Sequence, residues 1–176
     1  MEKYLMKTYT FRWSDLGDIE QGRPNLGSEA PVMMYRLMQF AFKDAASKEL
    51  GLEATEELFA RAGELAGREF CRKILNKKLT PAEFIADFGK KLIALKVGIL
   101  RVESADMEKL HFTVTVSEDL DCSGLPVLGG TVCDYDEGFI AGVFNEFTGK
   151  NFTVQEVDCW ASGDRTCRFK IKPAEE

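Results

Sequence analysis

LHFTVTV, residues 110–116, decides the fold class. Leu110, Phe112, Val114 and Val116 alternate with His111, Thr113 and Thr115, the period of two expected of a half-buried strand. Upstream, as far as Gly98, the apolar residues recur at helical spacing. Val32, Met33, Leu37, Phe40 and Ala41 lie on a first helix capped by Ser28, opened by Glu29 and Pro31 and ended by Gly51. Leu58, Ala62, Leu65, Ala66 and Phe70 form the stripe of a second, over Glu53–Asn76. TPAE (80–83) is a capping box that opens a third, to about Lys96. Downstream, residues 99–104 pair with 110–116 as one hairpin, and 151–158 with 166–172 as another. A short helix from Tyr135 to Thr148 stands between them, with Asp134 and Glu137 as its capping box and Gly149 as its stop. Helices ahead of antiparallel hairpins predict an α+β fold: N-terminal helices packed with a four-stranded antiparallel sheet made of two hairpins, one helix inserted between them. Residues 1–27 read as an irregular arm with a strand candidate at Tyr4–Phe11.

At 176 residues, 45% of them hydrophobic and 30% charged, the chain is expected to form one domain, 1–176, with a sizeable core. A net charge of −6 gives no electrostatic reason to expect nucleic-acid binding. The locally basic CRKILNKK (71–78) closes a helix, where cations suit the dipole. No apolar run reaches the ~20 residues of a membrane span, and no signal-peptide pattern is seen, so a cytoplasmic protein is expected. Thiols stay reduced there, and five cysteines cannot all pair within one chain.

The last hairpin sets two of those thiols across one turn, in VQEVDCWASGDRTCRF (154–169). Alternation places Phe152, Val154 and Glu156 on one face, and Cys167, Phe169 and Ile171 on one face, both toward the core. A carboxylate ending a core-facing row is costly unless something cationic meets it. Cys159 lies just beyond that row, and Cys133 stands at the start of the short helix. Packing that helix on the hairpin would gather Cys133, Glu156, Cys159 and Cys167, a donor set suited to tetrahedral zinc. A closed shell of this kind is structural, worth on the order of 10 kcal/mol to folding. Spacing alone leaves two other readings open: inert buried cysteines and a cross-hairpin disulfide.

The segment 122–171 also resembles the vinyl-4-reductase (4VR) domain, also described as a hydrocarbon-binding domain. The residues that carry the resemblance are Cys133, Gly138-Phe139, Gly142, Glu156-x-x-Cys159, Gly163, Cys167 and Phe169, with GRPNLGSEAPVMMYRL (22–37) and AGELAG (62–67) as a more variable front half. The resemblance implies the fold of nitric-oxide-signalling sensor domains and of transport-particle subunits: an often dimeric domain enclosing a hydrophobic cavity. It also implies zinc on Cys133, Glu156, Cys159 and Cys167, within a zinc-pinned region 118–173. The cavity-lining candidates are Phe112, with Phe84 and Val154 beside it. The His/Trp pair with which related sensors hold phenol is missing. The single histidine, His111, points off the core face, and Cys122 reads as a spare loop thiol.

These readings favour a non-catalytic module that binds or senses a small hydrophobic molecule, with a structural zinc ion and as a homodimer. The family name suggests instead a reductase, or an accessory factor, acting on a vinyl tetrapyrrole. No G-x-G-x-x-G follows a strand, and one histidine offers little acid–base chemistry near neutral pH. A dimeric scaffold with a self-filled cavity is the remaining alternative.

Overall fold

The computed structural model describes residues 9–174. The strand candidate at Tyr4–Phe11 lies mostly outside them, and residues 9–11 are not in a strand. A short helical turn, Trp13–Leu16, and α1 (Ile19–Gly22) lead into three long helices: α2 (Val32–Leu50), α3 (Leu52–Ile74) and α4 (Pro81–Ala94). Then come β1 (Ile99–Asp106), β2 (His111–Ser117), α5 (Asp134–Thr148), β3 (Phe152–Asp158) and β4 (Cys167–Pro173). The strands form one antiparallel sheet in the order β1-β2-β4-β3, so the two hairpins meet along β2 and β4. This is the α+β arrangement expected from the change of period.

The end signals of α4 act as read. Thr80 Oγ1 accepts from Glu83 N, the Glu83 carboxylate accepts from Thr80 N, and Pro81 occupies the first turn. Gly51 and Gly149 take positive φ at the ends of α2 and α5, a region that glycine enters without strain. Two expected caps do not form. Helix α2 begins at Val32 behind Pro31, so Ser28 does not cap it. At α5 the side chains of the expected Asp134/Glu137 box are taken elsewhere. Asp134 pairs with Lys43 at 2.7 Å, and Glu137 Oε1 accepts from Glu156 N at 2.6 Å, tying the helix to β3.

The buried stripe of α3 is also turned relative to expectation. Thr55, Phe59, Gly63, Gly67 and Phe70 are buried, whereas Leu65 is exposed. The cause is backbone proximity. A Cβ added at Gly63 would strike the Tyr135 carbonyl, and one at Gly67 the Phe139 carbonyl; Gly138 and Gly142 of α5 lie equally close to the Ala60 and Glu64 carbonyls. Four glycines thus let α3 and α5 approach to backbone contact, and α5 is pressed between α3 and the sheet. One core joins Ile140 and Phe144 of α5 to the sheet residues Phe112, Val114, Phe169 and Ile171; another joins Val143 to Phe70, Phe84, Phe88 and Leu92. The basic end of α3 is spent on intramolecular ion pairs, Arg72 with Glu69 and Glu146, and Lys77 with Glu146. No helix among the described residues is long and apolar enough to cross a membrane.

Candidate metal centre and ligand recess

The register of the sheet explains where the thiols meet. Cys167 opens β4 opposite Val116, and Cys159 follows the end of β3, where a helical turn and Gly163 (φ +107) reverse the chain. Ser162 Oγ accepts from Cys159 N at 2.9 Å and fixes that turn. Cys133 is the N-cap residue of α5, whose first turn faces the same corner. All three are 0–1% exposed. Cys133 Sγ lies 3.8 Å from both Cys159 Sγ and Cys167 Sγ.

A fourth thiol joins them. Cys122 is fully buried, with its Sγ 3.1 Å from Cys167 Sγ, and the four sulfurs all lie within 4.8 Å of one another. The reading of Cys122 as a spare loop thiol is therefore corrected. Its loop is not loose. Asp119 Oδ1 accepts from both Asp121 N (2.9 Å) and Cys122 N (3.1 Å), and Arg36 Nε donates to the Leu120 carbonyl at 2.8 Å. Farther along, the Leu125 carbonyl accepts from Trp160 Nε1, and Leu128 N donates to the Ala161 carbonyl, clamping the loop to the β3–β4 turn.

Glu156 stands beside this quartet. Its Oε2 accepts from Cys133 N at 3.2 Å, while Oε1 is buried without a partner. Burial, and next the neighbouring Cys159 sulfur, push its carboxyl up to about 8. Burial, and next Asp121, push Asp119 up to about 6; burial raises Asp136 well above the usual carboxylate range. The corner thus concentrates groups whose anionic forms are disfavoured in the same small volume.

The donor set fits a single divalent ion. Tetrahedral metal–sulfur bonds of about 2.3 Å place sulfurs about 3.8 Å apart. The two 3.8 Å separations match that edge, and the tighter Cys122–Cys167 approach opens to it by a small side-chain adjustment. A multi-iron cluster, with sulfides between its cysteines, needs a wider spread. The fifth thiol, Cys71, is buried in the other core, among Phe70, Phe84 and Phe88.

The expected cavity residues lie on the core side of the sheet and helices. Phe84 is fully buried, its ring stacked on Phe147 at 3.7 Å between centroids, and Phe112 packs on Phe144 at 5.3 Å. Together they border a void of only ≈ 20 Å³, about one water's room. Val154 packs against the same core. His111 is exposed at the start of β2.

A larger apolar recess, ≈ 350 Å³, opens between α2, α3 and the start of α5. Met38, Phe42, Leu58, Phe59 and Ala62 wall it, and Tyr35, Gln39 and Tyr135 supply its polar atoms. Tyr35 Oη donates to Asp121 Oδ1 (2.8 Å) and Gln39 Nε2 to Asp121 Oδ2 (2.7 Å). Asp121 therefore joins the recess to the turn that carries Cys122. The spacing of Tyr35, Gln39 and Phe42, one face of α2 at i, i+4 and i+7, is the only sequence signal that points here.

Residues 112–173, which hold β2, the Cys122 loop, α5 and the last hairpin, match the model of the vinyl-4-reductase (4VR) domain. The chain carries a 4VR domain. Over nearly its whole length it is 24% identical to the uncharacterized protein MJ0150 of Methanocaldococcus jannaschii, covering 90% of this chain and 86% of that one. The 4VR chain shares its fold with a vinyl-4-reductase family protein from the same organism (18% identity, 97% of this chain and 99% of that one, TM-score 0.62). It shares it too with the phenol-responsive sensory domain of the transcription activator PoxR with phenol (19% identity, 76% and 71%, TM-score 0.58). A trafficking protein particle complex subunit 3 from Naegleria fowleri, covalently bound to palmitic acid, is similar again (12% identity, 82% and 98%, TM-score 0.56). The last two agree with the fold kinship to sensors and transport subunits that the motif residues imply.

Proposed function

We propose that this 4VR domain is a non-catalytic module that binds or senses a small hydrophobic molecule, its C-terminal corner pinned by one structural zinc ion. The observation that carries the reading is the pairing of a closed thiol quartet with an apolar recess through a single carboxylate, Asp121. Four thiolates leave zinc no open position, which suits a structural role rather than a catalytic one. Cys122, Cys133, Cys159 and Cys167 are the ligands in this reading. Glu156, expected as the fourth donor, instead holds the Cys133 amide and backs the site. The recess is of a size and apolarity typical of small-molecule sites. Fold-sharing proteins with phenol or palmitate bound add support by analogy. Native mass spectrometry against a broad panel of hydrophobic compounds tests the binding role. Retention of at least one compound on the folded protein is expected; none at all would refute it.

The exposed side of α2 favours a second component of the same reading, the homodimer. Of its 19 residues only Ala46 is buried, while Met33, Met34, Leu37 and Met38 are 50–70% exposed. A second copy of this chain is the occupant proposed for that face, burying α2 against its own equivalent about a two-fold axis. Light scattering is expected to give twice the chain mass, and Leu37→Glu to halve it.

A further inference from the structure

The recess carries more information than its apolarity. Gln39 turns its amide nitrogen to Asp121 at 2.7 Å, and Tyr35 holds the other oxygen of the same carboxylate at 2.8 Å. That arrangement leaves Gln39 Oε1 as an acceptor shielded from water, with no hydrogen-bond partner among the described residues. A shielded amide oxygen without a donor costs free energy, and a ligand that donates to it recovers that cost. Swapping the two ends of the amide brings no relief, because Asp121 accepts and requires the nitrogen. The acceptor is thus built in by its neighbour.

Charge at this end of the recess further narrows the choice. Asp121 lies behind Gln39, and the Asp136 carboxylate, whose Oδ2 is also buried and unpartnered, follows Tyr135 along α5. The nearest cation, Lys43, is taken by Asp134 at 2.7 Å, its Nζ lying 5.7 Å from the centre of the Phe59 ring at the apolar wall. An incoming carboxylate would meet acceptors and buried acids with no unpaired cation to receive it.

We propose, building on the binding role above, that the Tyr35–Gln39–Tyr135 recess selects an uncharged apolar molecule bearing one hydrogen-bond donor, which it gives to Gln39 Oε1, and that it rejects fatty and other carboxylate anions. The apolar body lies on Met38, Phe42 and Phe59. A site built to accept a hydrogen bond discriminates sharply against the analogue that lacks the donor.

Three probes of one shape separate the possibilities: cyclohexylmethanol, methylcyclohexane and cyclohexanecarboxylate, titrated into the full-length protein. Methionine methyl resonances follow the binding, with Met38 reporting on the recess. The alcohol is expected to bind about tenfold or more tighter than either analogue and to shift the Met38 methyl, and Gln39→Met is expected to bring alcohol and hydrocarbon to parity. The wild-type ranking alone decides the matter if that variant fails to fold. Hydrocarbon binding as tight as the alcohol, or a tighter carboxylate, overturns the donor-selective recess and leaves the binding role standing. No saturable Met38 shift with any of the three overturns the selective recess also; it reaches the binding role itself only if the compound panel fails as well.

Discussion

The two ends of the short span from Asp119 to Cys122 face opposite kinds of surroundings. On one side lies the thiol corner, where four sulfurs, two loops and the end of the sheet are buried and cross-tied by hydrogen bonds. On the other lies the α2 side, where Met33, Met34, Leu37, Met38 and Phe42 remain exposed and one helix contributes a single buried residue. A region whose polar groups are nearly all satisfied internally can hold a fold but has nothing left with which to recognise a ligand. A region with bare methionines and an orphan amide oxygen has the reverse character. The difference suggests a division of labour, in which the corner supplies rigidity and the α2 side supplies recognition.

Removing the metal should break the comparison most severely. Cys159→Ser and Cys167→Ser are each expected to lose the ion and lower stability by on the order of 5 kcal/mol or more, read by calorimetry beside elemental analysis. Glu156→Gln should keep the ion, since the carboxylate is not among the four mutually close donors. Next in size is the helix contact behind both regions. Gly138→Ala puts a methyl into the Ala60 carbonyl, and a loss of about 3 kcal/mol is expected by denaturant titration. Leu37→Glu sharpens the contrast from the other side: it should leave the monomer's stability within about 0.5 kcal/mol while abolishing the dimer.

The pH response gives a subtler contrast. In metal-free protein the folded-state carboxyls of Glu156 (about 8) and Asp119 (about 6) lie above their ordinary values of 4.5 and 3.8. Folding retains protons that the unfolded chain releases, so stability is greatest below pH 4 and falls as pH rises toward 8. With metal bound, protons compete for the thiolates, and stability rises over the same interval. Opposite slopes in chemical denaturation with and without a chelator are the expected result. The smallest effect is local: Thr80→Ala should cost about 1 kcal/mol through the α4 cap and touch neither region.

Much of the fold was legible because its signals are local. The alternation at 110–116, the TPAE cap and the face shared by Cys167, Phe169 and Ile171 each need only one element to be read correctly. The convergence of Cys133, Cys159 and Cys167 was legible for the same reason, since helix start and hairpin end have definite directions. Cys122 was not, because nothing in EDLDCSG says that Asp119 will fold the loop back onto the sheet; the Asp-x-x-Cys turn is a signal visible only in retrospect. The α3 stripe was misread because glycines count as featureless in a hydrophobic pattern, while here they are the contact itself. The recess escaped notice for a different reason. Its wall is assembled from three helices, whereas Phe84, Phe112 and Val154 sit where aromatic and branched side chains fill space instead of leaving it.

The most direct measurement is X-ray absorption at the metal edge of the purified protein, taken with elemental analysis. One zinc per chain surrounded by four sulfurs at about 2.3 Å is the predicted result. A shell of three sulfurs and one oxygen would return Glu156 to the fourth position, and fully folded protein without any bound metal would contradict the account.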